Sequence, residues 1–259
     1  MDYIFSYSTT EGAVRKVNQD SLFIMTAEYK KEKIFFAAVC DGVGGMSAGE
    51  TASGFVCRKM TDWFSSDFAD MMRNSSSVLD IRASLDEMLH ELNERMNSYS
   101  ERKGISMGTT VTAMLIIPQL ARMLTAHAGD SRLYKITDSA IEVLTADHSI
   151  VGQDVRNGKI TEEMAENDPR QNQLTNCIGA GLTDTSYDYS IEEYDGNECY
   201  MLCSDGFRKK ITKDEIIEYL CPSANSSEKE MSEHLNALAE KDMKCGEKDN
   251  ITALLVRLC

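Results

Sequence analysis

The 259-residue sequence predicts an α+β fold in which antiparallel β-sheets carry α-helices on their outer faces. Strand-length apolar runs occur in groups, and two long segments with helical periodicity separate the first group from the second. This order lacks the regular alternation of strand and helix that builds a parallel, doubly wound sheet. The chain has 3 prolines and no long Gly/Ser linker, so a single domain over residues 1–259 is expected.

The N-terminal part predicts three strands followed by two helices. The strand-like runs lie at residues 3–8, 21–26 and 34–40. A helix is expected over residues 46–64, because Ser47 would be its N-cap and Glu50, three positions later, would complete a capping box. A second helix is expected over residues 78–102, where apolar side chains recur at helical spacing: Leu85, Met88, Leu89, Leu92 and Met96.

The C-terminal part predicts a hairpin and then short strands and helices. The runs 111–117 and 120–128 flank Pro118-Gln119, where proline fixes φ in the turn. Further strands are expected at residues 130–135 and 141–144, more than one within 190–203, and a last one at 251–258. Helical patterns occur at residues 214–220 and 228–241, and short helical pieces occur within 147–167.

Charge and cysteine content restrict the function classes. A net charge of −15 argues against a nucleic-acid partner, because phosphate backbones are bound by basic patches. The 8 cysteines include no CxxC pair. The spacing of Cys199 and Cys203 could belong to a zinc half-site, but no partner pair exists, and alternation along a strand explains the spacing equally well. Free cysteines are typical of the reducing cytosol. Without a secretory leader pattern or an apolar run of bilayer length, a cytoplasmic, soluble protein with no membrane partner is expected.

Four aspartates stand where apolar runs meet loops. Asp41 and Asp205 each follow a run and begin an Asp-Gly pair. Asp130 follows the run 123–129, and Asp249 precedes the last run. Strand ends are where a scaffold gathers distant side chains into one site. Clustered carboxylates repel each other unless a cation neutralises them, which favours a site for a hard divalent ion.

The segment Asp41-Gly42-Val43-Gly44-Gly45 follows a strand and precedes a helix, as a dinucleotide-binding loop does. It lacks the third small residue at the required spacing, and the βαβ frame is missing. The glycines more readily allow the backbone to approach an ion, and the Gly42 carbonyl is a hard donor suited to Mg²⁺ or Mn²⁺. Arg15 is the best candidate for an anion clamp, because a guanidinium binds two phosphate oxygens; a solvated surface arginine is the alternative.

Seven short motifs follow one another along the chain: Arg15-x-x-Asn18-x-Asp20, Asp41-Gly42-x-Gly44-Gly45, Gly108-Thr109-Thr110, Gly129-Asp130-Ser131-Arg132, Asp147-His148-Ser149, Cys203-Ser204-Asp205-Gly206 and Asp249-Asn250. This combination resembles the metal-dependent protein serine/threonine phosphatases of the PP2C (PPM) family, in their compact bacterial form. The resemblance runs from residue 3 to residue 258. It implies a PP2C-like four-layer sandwich, in which two antiparallel sheets pack face to face and helices cover both outer faces.

The resemblance also implies a metal centre at one end of the sandwich. Two Mn²⁺ or Mg²⁺ ions per chain would lie there, with Asp41 bridging both and Gly42 lending its carbonyl to one. Asp205 and Asp249 match the carboxylates on the other ion. Asp130 matches a residue that helps to hold a third, weaker ion in bacterial members.

Further residues are implied to support this centre. Asp20 matches an aspartate behind the ligands, Arg15 matches the phosphate-binding arginine, and Asp147-His148-Ser149 matches a structural turn. Two positions depart from the pattern. Gln19 replaces a frequent glutamate and adds no negative charge, so one ion would bind more weakly. Val43 replaces the histidine that eukaryotic members often carry, so another group must protonate the leaving serine or threonine.

The implied activity is hydrolysis of phosphoserine and phosphothreonine in proteins by a metal-activated water. Such an enzyme would be a monomeric phosphoric monoester hydrolase of signal transduction, which acts on phosphorylated proteins and opposes a Ser/Thr kinase. Residues 151–177 match the family's variable flap beside the active site.

Three other functions compete with this reading. The main alternative is a catalytically silent module that binds phosphoproteins or regulates a partner. An acidic Ca²⁺-binding domain lacks support, because the sequence contains no EF-hand loop. A cysteine phosphatase is disfavoured because position 209, six after Cys203, is lysine rather than arginine.

Overall fold

The computed structural model describes residues 2–259, with all side chains of that range except that of Glu166. The strands are β1 (Tyr3–Thr10), β2 (Asp20–Tyr29), β3 (Glu32–Asp41), β4 (Gly108–Thr109), β5 (Val111–Ile117), β6 (Arg122–Ala128), β7 (Arg132–Ile136), β8 (Ile141–Val143), β9 (Ile178–Gly179), β10 (Asp188–Glu192), β11 (Cys199–Cys203) and β12 (Ile251–Leu258). The helices are α1 (Gly49–Trp63), α2 (Ala69–Arg73), α3 (Val78–Lys103), α4 (Ile150–Arg156), α5 (Glu162–Glu166), α6 (Asp205–Arg208), α7 (Lys213–Leu220) and α8 (Glu228–Lys244).

Two five-stranded antiparallel sheets form the centre of the molecule. The strand order is β1-β12-β11-β7-β8 in the first sheet and β10-β6-β5-β3-β2 in the second. α1 and α3 pack on the outer face of the second sheet, and α7 and α8 pack on the outer face of the first. The predicted α+β, four-layer architecture is therefore confirmed.

Side-chain alternation along the strands creates three apolar layers. In β3, Phe35, Ala37 and Val39 face the layer between the two sheets, and Phe36 and Ala38 face the helices. Because β3 is covered on both faces, residues 34–40 are apolar throughout and fully buried. Each large apolar side chain buried in this way contributes about 1.5–3 kcal/mol to folding.

The first helix begins later than the sequence pattern predicts. α1 starts at Gly49, and its N-cap residue provides no side-chain hydrogen bond. The Ser47 hydroxyl instead donates to the Ser106 carbonyl and accepts from the Ser106 N–H, both at 3.2 Å. The Glu50 carboxylate accepts from Gln19 Nε2 at 3.2 Å. The predicted capping box is therefore wrong, because both side chains bind neighbouring loops.

The helical chain also extends further than predicted. A π-helical segment, Phe64–Phe68, follows α1 and leads directly into α2, so the helical path ends at Arg73. The second long helix, α3, begins at Val78 as predicted, and Ser77 and Asp80 form its capping box. None of the helices in residues 2–259 combines the length and the apolar character that crossing a membrane requires.

The remaining predicted elements lie close to their expected positions. β5 and β6 form the predicted hairpin, with a 3₁₀ turn at Pro118–Leu120 and left-handed backbone at Ala121. The sequence pattern did not predict the two-stranded β4–β9 pair or the short helix α6. Both elements adjoin the ends of the main sheets where the aspartates lie.

Candidate metal centre

The strand ends bring four of the predicted aspartates to one end of the sandwich. Asp20 begins β2 and lies directly opposite Asp41, the last residue of β3, in the antiparallel register. Asp205 begins α6 just after β11, and Asp249 lies two residues before β12. β11 and β12 are neighbours in the other sheet. Each sheet therefore supplies two of the carboxylates.

Asp20 is buried at the junction of the two sheets. Ser204 Oγ donates to Asp20 Oδ2 at 2.9 Å, a contact that joins residues from different sheets. The other carboxylate oxygen, Oδ1, is buried and has no hydrogen-bond partner among residues 2–259. Burial raises the pKa of Asp20 to about 7, and the charges of Asp205 and Asp249 add to this rise. A buried carboxylate with an unpartnered oxygen is costly unless a cation approaches it.

The backbone around Asp41 is closely held. The Asp41 N–H donates to Thr110 Oγ1 at 2.9 Å, and its carbonyl accepts from the Thr110 N–H at 2.8 Å. The Gly42 N–H donates to the Gln19 carbonyl at 3.1 Å. A Cβ at Gly42 would lie 2.6 Å from the Gly49 carbonyl carbon and 2.7 Å from the Gln19 oxygen. Only glycine fits this cradle, which fixes the Asp41–Gly42 peptide.

The carboxylates of the cluster act on one another electrostatically. Burial raises the pKa of Asp41 well above its ordinary value, and the charges of four other aspartates add to the rise: Asp20, Asp205, Asp130 and Asp249. Burial also raises the pKa of Asp130 to about 7, and the charge of Asp205 adds to it. These groups therefore share one region of negative potential.

Asp205 lies in the first turn of α6 and already contacts a cation. Lys209, one helical turn later, forms an ion pair with the Asp205 carboxylate. A Cβ at Gly206 would lie 2.1 Å from the Asn250 carbonyl oxygen, so α6 packs directly on the loop that carries Asp249. This close approach requires glycine at position 206 and brings the backbones of Asp205 and Asp249 together.

Asp249 and Arg15 form the exposed side of the cluster. Arg15 Nη2 lies 3.0 Å from Asp249 Oδ1 and 3.2 Å from Oδ2. The adjacent Asn250 side chain accepts from the Gln19 N–H at 3.0 Å and donates to the Val17 carbonyl at 3.0 Å. Asn250 therefore fixes the loop that carries Arg15 against the loop that carries Asp249.

The Asp147-His148-Ser149 segment has the structural contacts that the resemblance implied. Arg132 binds the Asp147 carboxylate through two hydrogen bonds of 2.7 and 2.8 Å. His148 Nε2 lies 2.9 Å from Asp188 Oδ2. The Ser149 side chain caps α4 by accepting a hydrogen bond from the Gly152 N–H. This segment borders the cluster through Arg208, whose Nη2 binds Asp147 at 3.2 Å and the Asp130 carbonyl at 3.1 Å.

Within residues 2–259, no three His, Cys, Asp or Glu side chains are already arranged as a metal-binding group. Asp205 and Asp249 instead point to the cationic groups of Lys209 and Arg15. The chemistry of the donors nonetheless fits Mn²⁺ or Mg²⁺, because every candidate ligand is a hard oxygen. The unpartnered Asp20 oxygen and the mutual repulsion of the carboxylates are the features that a divalent ion would relieve.

Known proteins include relatives that match this chain along most of its length. Residues 12–240 match the sequence model of protein phosphatase 2C. The chain belongs to the protein phosphatase 2C family. A putative protein phosphatase 2C-type protein of Streptococcus pyogenes serotype M6 is 32% identical over 253 residues, which are 97% of this chain and 96% of that protein. The serine/threonine phosphatase stp of Listeria innocua is 29% identical over 251 residues, with 96% and 94% of the two chains covered.

Solved structures of protein phosphatase 2C enzymes share the fold. Serine/threonine phosphatase Stp1 from Staphylococcus aureus superposes with a TM-score of 0.83 at 27% identity, over 98% of this chain and 94% of that one. The catalytic domain of PstP, solved in complex with 2 manganese ions, superposes with a TM-score of 0.77 at 26% identity, over 99% of both chains. The resemblance to bacterial members of the family is therefore confirmed.

Three supporting residues of the site were not assigned a role from the sequence. Ser204 and Asn250 stand inside or beside quoted motifs, and their position next to aspartates was the available signal. Lys209 was noted only because it is not arginine, and its pairing with Asp205 follows from helical i, i+4 spacing. The departures Gln19 and Val43 also adjoin the cluster, and Gln19 contributes its carbonyl to the Gly42 cradle.

Proposed function

We propose that this chain is a Mn²⁺- or Mg²⁺-dependent protein serine/threonine phosphatase that hydrolyses phosphoserine and phosphothreonine. The supporting observation is that strand ends of both sheets bring Asp41, Asp205 and Asp249 into one cluster, whose exposed member, Asp249, pairs with Arg15. Carboxylates suit divalent cations, and a guanidinium suits a phosphate dianion. The names of the relatives in Listeria innocua and Staphylococcus aureus support the same reaction class.

In the proposed centre, the Asp41 carboxylate and the Gly42 carbonyl would help to hold the ions. Asp205 and Asp249 would supply further carboxylate ligands, and Asp20 would hold its negative charge behind the ligands. When bound, the ions would activate a water as the nucleophile and neutralise charge on the phosphoryl group. Neutralising the cluster would also remove the repulsion that adds to the effect of burial on the pKa of Asp41.

Arg15 is proposed to bind and orient the phosphate. A Cβ at Gly44 would lie 3.6 Å from Arg15 Nη2, so the guanidinium lies against the glycine-rich loop as well as beside Asp249. That position places two N–H donors at the edge of the carboxylate cluster, where a phosphate can accept both. Val43 has no proton to give, so solvent is proposed to protonate the leaving serine or threonine oxygen.

Phosphate release from a phosphothreonine peptide tests this proposal. Wild type should turn over only with Mn²⁺ or Mg²⁺, and Asp205→Asn should lower kcat/KM by about 100-fold or more, because a charged ligand is lost. Asp214→Asn, which alters an exposed acid on α7, is the matched control and should retain activity. A folded wild type that binds Mn²⁺ without turnover would instead identify the silent, phosphoprotein-binding module.

The wider biological role follows from the same proposal. We propose that residues 1–259 form one catalytic domain, a cytoplasmic monomer that acts on phosphorylated proteins and opposes a Ser/Thr kinase. The flap, residues 151–177, is proposed to influence substrate choice, because Lys209 beside Asp205 donates to Asn172 of the flap at 3.1 Å. Exchanging the flap for that of a relative should change the ratio of activities on two phosphopeptides. Equal ratios would exclude this role for the flap.

A further inference from the structure

Lys209 places a cation inside the acidic cluster. Its ammonium group pairs with the Asp205 carboxylate, and its side chain is only 17% exposed. The same Nζ donates to Asn172 Oδ1 at 3.1 Å. Lys209 therefore contacts a proposed metal ligand and the flap at the same time.

Several carboxylates lie around Lys209. The charges of Asp205, Glu247 and Asp130 act on its ammonium group. The charge of Lys209 acts in turn on Asp130. The ammonium thus lies in the combined field of Asp205 and Asp130, in the region where Asp130 was expected to help hold a third ion.

The backbone on both sides of Lys209 is anchored. Arg208 Nη2 binds the Asp130 carbonyl at 3.1 Å, and the Lys210 N–H donates to Asp242 Oδ1 at 3.0 Å. These contacts hold the end of α6 against the cluster on one side and against α8 on the other. The Lys209 side chain is consequently directed to the carboxylates by its flanking residues, while the Lys210 side chain is exposed.

We propose that the Lys209 ammonium takes the place of a third metal ion at Asp130 and Asp205, and that it ties this charge to the flap through Asn172. This inference rests on the proposed metal-dependent function. A fixed monovalent cation neutralises part of the acidic cluster and repels a further divalent ion from the same position. The enzyme would then use two exchangeable ions, and its flap contact would not depend on a weakly bound third one.

Counting bound ions tests the proposal without measuring activity. The number of Mn²⁺ ions per chain at saturation is obtained by equilibrium dialysis and elemental analysis. Wild type should bind two, Lys209→Gln should gain one, and Lys209→Arg should remain at two because the charge is kept. Lys210→Gln is the matched control and should also bind two. Because the glutamine amide of Lys209→Gln could still donate to Asp205, Lys209→Met, which has no donor, serves as a second neutral variant, and circular dichroism verifies the fold of each.

The outcomes separate this inference from the proposed function. Three ions in wild type, or an unchanged count of two in both neutral variants, would overturn the role of Lys209 alone. No bound Mn²⁺ in wild type would overturn the proposed metal centre itself.

The flap contact gives an independent readout. Hydrogen–deuterium exchange of residues 168–177 should be faster in Lys209→Met than in wild type, because Asn172 loses its donor. Asn172→Ala should produce the same faster exchange while its ion count stays at two. Unchanged exchange in both variants would overturn the link between Lys209 and the flap.

Discussion

Because Gly42 has no Cβ, the backbone can adopt the close packing that positions the proposed centre. Its α-carbon faces the Gly49 and Gln19 carbonyl groups at distances that exclude any Cβ. Gly42→Ala should therefore displace the Asp41–Gly42 peptide and lower the free energy of unfolding by about 1–3 kcal/mol, the usual cost of overpacking. Chemical denaturation measures the stability, and calorimetric titration measures the weaker Mn²⁺ binding that should accompany it.

Gly44 supplies the matched control for that prediction. A Cβ there would lie 3.6 Å from Arg15 Nη2, which is an ordinary contact. Gly44→Ala should therefore keep the stability and the Mn²⁺ affinity of wild type. Equal losses in both alanine variants would show that loop flexibility, rather than the cradle around Gly42, determines these properties.

Arg15 tests whether the site recognises phosphate by geometry or by charge alone. Lysine would preserve the charge at this position but lose the two-pronged donor of the guanidinium. Arg15→Lys should raise KM for a phosphopeptide about tenfold with a smaller change in kcat, since substrate binding is the step affected. Lys16→Gln, which removes an adjacent exposed cation, is the control. If both variants raised KM equally, general attraction of the substrate by positive charge would explain the result.

At the scale of elements, α8 carries a buried acid that links stability to pH. Asp242 is fully buried, and burial raises its pKa from 3.8 to about 8. Glu247 adds to the rise, while the Lys210 N–H and the charges of Lys241 and Lys210 oppose it. The folded protein therefore keeps a proton that the unfolded chain loses near pH 4. The free energy of unfolding should fall as pH rises from about 4 to about 8.

Asp242→Asn isolates this contribution. Its amide oxygen can still accept from the Lys210 N–H, but the side chain no longer ionises. Thermal unfolding without metal should show a smaller loss of stability between about pH 5 and about pH 8 than wild type shows. Glu240→Gln alters an exposed acid on the same helix and should leave the wild-type pH dependence unchanged. An Asp242→Asn protein with the wild-type pH dependence would assign the effect to other groups.

Which elements could be predicted from sequence depends on how local their causes are. The aspartates at strand ends were predictable, because apolar runs stop where the chain leaves the core. The cap at Ser47 was not, since its hydroxyl binds Ser106, 59 residues away, rather than its own helix. The pairing of β4 with β9 and the bond from Lys209 to Asn172 likewise join distant segments, and periodicity carries no information about such contacts.

At the scale of the whole molecule, folding forces like charges together. Asp41 lies in the field of four other aspartates, so the protein without metal carries a repulsion that an ion would remove. Saturating Mn²⁺ at about 100 times its dissociation constant should stabilise wild type by about 2.7 kcal/mol per site. Asp41→Asn should be more stable than wild type in a chelator and should gain little from Mn²⁺. Thermal unfolding with and without Mn²⁺ measures both effects, and an equal Mn²⁺ gain in the two proteins would contradict the assignment of Asp41.

Because Asp20 and Asp41 belong to one sheet while Asp205 and Asp249 adjoin the other, the apolar layer between the sheets sets the spacing of the proposed ligands. A slide of one sheet over the other would separate ligands that never touch that layer. The measured affinity for Mn²⁺ would therefore report how the two sheets pack against each other. A cavity made in the middle layer, as by Leu202→Ala, should weaken metal binding while the chain is still folded.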